Sequence, residues 1–266
     1  MFQHQAQILW NEKISTGCYK IGLTCPEHYS MARPGQFIML GLVGQTDPLL
    51  RRPFSIHNLL ISGGQTEGFE LLYKVVGKAT GILSRLRSGA MVNILGPLGT
   101  GFIIPRAARC IHVVAGGIGV APLVFLASRL DRDNLDYSNC RVFIGGRTKE
   151  DLLCRDDFVQ LGFTVDTTTD DGSAGDQCLV THPLEEAVDR HPPDLIVACG
   201  PMAMLGCVIG IAEKHHVPCQ VSIETAMACG MGACLGCAVE GRADQDRYLH
   251  ACLDGPVFDA ADLNFA

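Results

Sequence analysis

Four cysteines near the end of the chain constrain it most: Cys229, Cys234, Cys237 and Cys252, spaced C-x4-C-x2-C-x14-C. This is the plant-type spacing for a [2Fe-2S] cluster, which needs four thiolates converging on two irons. Such a cluster is electron-rich, so backbone N–H groups must crowd around its sulfurs. Gly230, Gly232 and Gly236 lie between the cysteines and suit a loop that takes positive φ and folds tightly. The alternatives are a zinc site, a disulfide pair or four core cysteines. Zinc sites usually show paired C-x2-C hooks, and only one hook exists here.

The rest of the 266-residue chain must carry that loop, and its length suits one or two domains with a short appendage. A content of 47% hydrophobic and 18% charged residues supplies ample core. No apolar run reaches membrane-spanning length, and the first residues lack the basic and apolar regions of a signal peptide. A cytoplasmic protein is expected, with its thirteen cysteines mostly reduced and metal ligation favoured over disulfides. The net charge of −7 argues against nucleic acid as a partner. From His216 onward there are seven acidic residues and two arginines, an imbalance suited to steering a basic partner.

From Phe2 to about Phe102 the chain alternates apolar and polar residues between Gly and Pro, as short antiparallel strands closing a barrel or sandwich do. Two stretches stand out there. Arg51-Arg52-Pro53-Phe54-Ser55 offers a guanidinium fork for a pyrophosphate, and a hydroxyl and N–H for a flavin ring near N5. Leu72 to Gly81 runs from a strand through Gly77 into a helix start, where free N–H groups favour a phosphate. Thr80 there either caps the helix or binds the anion.

Near Pro105 the rhythm changes. The buried strand Cys110–Ala115 leads into Gly116, Gly117, Ile118, Gly119 and Pro122, then into a helix. Strand, glycine turn and helix form a dinucleotide arrangement, although the strict G-x-G-x-x-G spacing fails. Further alternation predicts a mostly parallel sheet with helices on both faces, including a helix over 148–161 and a last strand over 217–223. Cys199-Gly200-Pro201 ends a strand where such sheets bind ligands, so Cys199 either borders a nicotinamide ring or is a small core residue. Arg147 and Lys149 leave NAD against NADP open.

These motifs, in order, resemble the ferredoxin-reductase superfamily. The cysteine loop, with Cys252-Leu-Asp-Gly-Pro-Val-Phe258, resembles the cluster region of dihydroorotate dehydrogenase B electron-transfer subunits. The likeness spans nearly the whole chain. It implies an FAD-binding β-barrel over 1–103, an NAD-binding α/β domain over 104–215 and a small [2Fe-2S] domain over 216–266. It puts flavin contacts on Arg52, Pro53, Phe54 and Ser55, on Leu72, Tyr73 and Lys74, and on Ala79 and Thr80, beside Gly77. Cluster ligands fall on Cys229, Cys234, Cys237 and Cys252. The glycine turn would hold NAD, with Cys199 and Gly200 near the ring and Ser55 polarising the flavin. The implied partner is an FMN-carrying dihydroorotate dehydrogenase catalytic subunit, in a heterotetramer of two of each. The family usually has Gly where this chain has Ala79, and a methyl there either crowds the pyrophosphate or requires negative φ. Ala226-Met227-Ala228 has no role on these grounds. The competing readings are a diaphorase-like subunit of another redox complex, and a redox-sensing iron-sulfur module.

Overall fold

The computed structural model describes residues 2–130, 139–242 and 248–265. Asp244, Asp246 and Arg247, part of the acidic imbalance above, lie outside them. The first segment has β1 (Phe2–Ser15), β2 (Cys18–Thr24), β3 (Phe37–Leu42), β4 (Arg52–Ser62), β5 (Gln65–Lys74), α1 (Lys78–Leu83) and β6 (Met91–Leu98). Its strands close a barrel in the order β1-β2-β5-β4-β3-β6, all pairs antiparallel. Closure removes the exposed edges that short strands otherwise present. Alternate residues point inward, so Ile8, Ile21, Leu23, Ile38, Ile56, Phe69, Leu71 and Ile94 fill the interior. Tyr29 stacks on Phe69 with ring centroids 4.8 Å apart.

Next come β7 (Ile111–Gly116), α2 (Val120–Arg129), β8 (Arg141–Gly146), α3 (Arg155–Gln160), β9 (Thr164–Thr169), α4 (Thr181–Arg190), β10 (Leu195–Cys199), α5 (Met202–Lys214) and β11 (Cys219–Ser222). The chain ends with β12 (Ala238–Glu240), β13 (Tyr248–His250) and β14 (Val257–Asp259). A six-stranded sheet runs β14-β11-β10-β7-β8-β9, parallel except for β14, which pairs antiparallel with β11. The boundary expected at 215/216 therefore falls inside a sheet. β11 belongs with the nucleotide segment, and the last strand of the cysteine segment extends the same sheet.

The helix expected over 148–161 is broken. A 3-10 turn covers Lys149–Asp151, Cys154 takes a left-handed φ of 60°, and only then does α3 begin. In the same stretch Lys74 of β5 pairs with Asp151 across the segment boundary, Nζ to Oδ1 3.0 Å.

Packing joins the three segments. Every residue of α2 from Val120 to Ala127 is buried. Phe125 enters the barrel core, while its neighbours pack on the sheet. A second core gathers Phe37, Met39 and Leu98 of the barrel, Ile196 and Val221 of the sheet, and Cys237, Leu249 and Cys252 of the last segment. The link from barrel to sheet is held from the far end of the chain. Thr100 N–H donates to Gly255 O at 2.6 Å, and Gln220 bonds both the N–H and the C=O of Ile103 at 2.9 and 2.6 Å.

Candidate functional site

A cavity of about 500 Å³ opens where the three segments meet. Arg52, Pro53, Phe54 and Ser55 of β4 line it, with Leu72, Tyr73 and Lys74 at the end of β5, and Gly77, Ala79 and Thr80 at the start of α1. The structure thus brings together every residue expected to contact flavin. Tyr73 is buried, and its hydroxyl donates to Asn11 Oδ1 at 3.0 Å. Asn11 in turn donates to the carbonyls of Leu83 and Leu86, fixing the far end of α1. Arg52 spends part of its fork on the carbonyls of Leu50 and Arg51.

The N-cap of α1 is Gly77, not Thr80. Thr80 sits one turn in, where its Oγ1 accepts from the N–H groups of Val76 and Gly77 at 3.0 and 3.1 Å. That bond holds the loop closed and leaves the first-turn N–H groups of α1 without helical partners, as at any helix start. Ala79 is helical, with negative φ, so its methyl is accommodated without backbone strain.

A second cavity, about 700 Å³, lies at the C-terminal ends of β7, β8 and β10. Gly116, Gly117 and Gly119 line it with Gly145, Gly146, Arg147, Gly200 and Pro201. Gly119 is required by close approach: a Cβ there would lie 2.4 Å from the carbonyl oxygen of Cys199. Pro122 faces the first cavity rather than this one. Cys199 lines neither. Its side chain is 2% exposed, and burial, with Glu224 adding to it, pushes the thiol up to about 12. Strand alternation turns it inward, so the core reading holds for its side chain and only its backbone borders the turn. Thr168, Asp170, Thr181 and Met204 also line the second cavity, as do Lys74 and Glu224. No local pattern marks them, because they sit on separate strand ends and loops.

The two cavities share Lys74, Ile118 and Glu224 as walls. A ligand in each would therefore meet at this divide. Burial raises the carboxyl of Glu224.

The cysteine loop lies beyond the first cavity. Met227, two residues before Cys229, lines that cavity and packs on the common core, which gives the Ala-Met-Ala run its role. Gly230 and Gly232 take positive φ, 70° and 79°, whereas Gly236 does not; Leu235, at 58°, makes the third left-handed turn instead. Cys237 and Cys252 have Sγ atoms 3.3 Å apart and buried. Cys229 Sγ accepts from the N–H groups of Met231 and Cys234, both at 3.4 Å, and Gly232 N–H donates to Cys252 Sγ at 3.1 Å. The amide of Met231 leads in lowering the Cys229 thiol, to about 6. A single zinc ion would want four sulfurs in one tight tetrahedron. The only His/Cys/Asp/Glu trio among the described residues with ligand atoms all within 4.8 Å lies elsewhere. One close sulfur pair, Cys237 with Cys252, and amide donors to the sulfurs of Cys229 and Cys252 fit a two-iron, sulfide-bridged group better than one ion.

Comparison with known proteins agrees with this geometry. Residues 224–264 match the sequence family described as the iron-sulfur cluster binding domain of dihydroorotate dehydrogenase B, and residues 113–209 match the oxidoreductase NAD-binding domain. The chain is 38% identical over 254 residues to the dihydroorotate dehydrogenase B (NAD(+)) electron transfer subunit of Desulforamulus reducens, covering 95% of each. It is 39% identical over 238 residues to a probable subunit of the same kind from Methanopyrus kandleri, covering 90% of this chain and 83% of that one. Among solved structures, a chain of an NADH-dependent reduced ferredoxin-NADP oxidoreductase superposes with a TM-score of 0.83 at 28% identity, over 98% of this chain and 90% of that one. A ferredoxin NADP+ reductase from Neisseria gonorrhoeae with bound FAD and NADP shares the fold, with a TM-score of 0.67 over 80% of this chain and 91% of that one.

Proposed function

This chain belongs to the family of dihydroorotate dehydrogenase B electron transfer subunits, and on that premise we propose how its residues serve the reaction. The protein is the NAD-linked oxidoreductase subunit that passes electrons from a partner flavoprotein to NAD+. Bound in its sites, a [2Fe-2S] cluster supplies single-electron carriage, NAD takes a hydride, and FAD interconverts the two.

The observation that carries the reading is the shared wall. The first cavity is lined by the barrel, the glycine turn and the cysteine segment together, with Met227 beside Cys229. In this reading Arg52, Pro53, Phe54, Ser55, Leu72, Tyr73 and Lys74 hold FAD, and the start of α1 from Gly77 to Thr80 takes its pyrophosphate. Ser55, which lines the same cavity, would offer its hydroxyl to the flavin ring. Gly116, Gly117, Gly119 and Gly200 seat NAD, and Pro122 sits on the flavin side of the divide. Cys229, Cys234, Cys237 and Cys252 ligate the cluster. No base from this chain is needed, because the carbon-bound protons belong to the partner's substrate. The partner is the FMN-carrying dihydroorotate dehydrogenase catalytic subunit, two of each in the assembly, and the cytoplasm is the compartment that this implies.

The test is reconstitution with that catalytic subunit under anaerobic conditions. Dihydroorotate and NAD+ should yield NADH only when both chains are present, and the complex should have the mass of a two-plus-two assembly. NADH formation by the catalytic subunit alone, or no complex between the chains, would overturn the assignment.

A further inference from the structure

Away from both cavities, the seam between barrel and nucleotide segment holds His57, Cys154 and Asp157, with ligand atoms all within 4.8 Å of one another. His57 comes from β4; Cys154 and Asp157 come from the start of α3. His57 is 1% exposed, and its Nδ1 lies 2.9 Å from the carbonyl oxygen of Ala121. A carbonyl only accepts, so Nδ1 carries the proton and Nε2 keeps its lone pair. An imidazole oriented through one nitrogen by a backbone carbonyl is how proteins present the other nitrogen to a metal.

Cys154 occupies the N-cap of α3 but makes no capping hydrogen bond. Its thiol lies within 4.8 Å of an Asp157 carboxylate oxygen instead. Two further charged groups face the trio. Lys20 Nζ is 3.9 Å from Asp157, and Glu70 has a carboxyl raised by burial, with Asp157 adding to it.

We propose that His57, Cys154 and Asp157 bind a zinc ion that bolts the flavin barrel to the nucleotide segment. One imidazole, one thiolate and one carboxylate make a donor set that suits zinc, a borderline-soft cation, with a water to complete its four-coordinate shell. Closing the trio onto bonds of about 2.0–2.3 Å needs only small side-chain movements from the present spacing. Binding releases the Cys154 thiol proton to solvent. Afterwards one thiolate and the carboxylates of Asp157 and Glu70 face one dication and one ammonium, a neutral set. Without the ion, the carboxyls of Asp157 and Glu70 share the single ammonium of Lys20. The site is separate from the cysteine cradle, and it does not depend on the identity of the redox partner.

The experiment uses the full chain purified with its flavin and iron, equilibrated with zinc chloride, desalted and analysed for zinc, iron and flavin. Wild type should retain one zinc per chain with iron unchanged, and zinc should raise its thermal midpoint. Cys154→Ala and Asp157→Asn should each weaken zinc binding at least tenfold while keeping flavin and iron, and should lose the thermal shift. If Cys154→Ala fails to fold, the partly exposed Asp157→Asn carries the comparison. The proposal is overturned by wild type retaining no zinc, by equal zinc in wild type and variants, or by zinc uptake matched by iron loss.

Discussion

Gly230→Ala tests how the cysteine loop is held against the barrel. Gly230 has φ of 70°, and a Cβ there would lie 2.5 Å from Met39 Cγ and 2.9 Å from its Sδ. Met39 is fully buried in the core common to all three segments, so it has no room to withdraw. The left-handed backbone costs an alanine about 1–2 kcal/mol. Forcing the methyl into a filled core adds about 1–3 kcal/mol. The sum, about 2–5 kcal/mol, should lower the midpoint of thermal unfolding by on the order of 10 °C. The loop is also pushed off the barrel, so stopped-flow reduction of flavin by NADH should keep its rate while cluster reduction, followed by electron paramagnetic resonance, slows. Met39→Ala creates the missing space at its own cost of about 2–5 kcal/mol. In that background the steric part of the Gly230→Ala penalty should vanish and the backbone part remain, a coupling of about 1–3 kcal/mol. An equal Gly230→Ala penalty in both backgrounds refutes the packing argument.

Other outcomes follow from the same geometry. Cys234→Ser should abolish the visible absorbance of the cluster and lower bound iron while flavin content persists; unchanged iron removes Cys234 from the ligand set. Lys74→Met removes the partner of Asp151. Burial alone would raise that carboxyl, but the hydrogen bond and charge of Lys74 hold it below its ordinary value. Its stabilisation is therefore complete above about pH 4 and lost as pH falls through the lowered value. The variant should lose about 0.5–1 kcal/mol at neutral pH, the scale of a partly exposed pair. It should lose nothing under strong acid, as urea titration at both pH values will show. His112, buried on β7, is held down to about 4 chiefly by desolvation, against a hydrogen bond to Asn139. The unfolded chain binds that proton below about pH 6.5 and the folded chain does not. Stability should thus fall by roughly 3 kcal/mol between pH 6.5 and 4. His112→Leu should flatten that part of the pH–stability curve, and an unchanged slope would place the acid sensitivity elsewhere.

What was legible in the sequence was whatever the chain encodes locally. The cysteine spacing, the Arg52–Ser55 strand and the Gly116–Gly119 turn each put their chemistry within a few residues, and each lines the expected cavity or cradle. The misses are long-range. Lys74 and Glu224 become shared walls only because β5 and the segment after β11 converge. Cys199 looked like a ring neighbour because it precedes Gly200, but strand alternation buries its side chain. Gly236 seemed the natural third turn residue, yet Leu235 takes the positive φ. The helix expected over 148–161 is broken at Cys154, whose left-handed φ, like the Lys74–Asp151 pair nearby, is invisible to local periodicity.

The antiparallel pairing of β14 with β11 bears on how such proteins can be rebuilt. Because the final strand is stitched into the nucleotide sheet, the iron-sulfur portion is not a detachable cartridge. A shortened chain ending after β11 would expose a raw sheet edge and strip one side from the flavin chamber at the same stroke. Grafting this cluster onto a plain flavin reductase would therefore require transplanting the edge strand along with the cysteines.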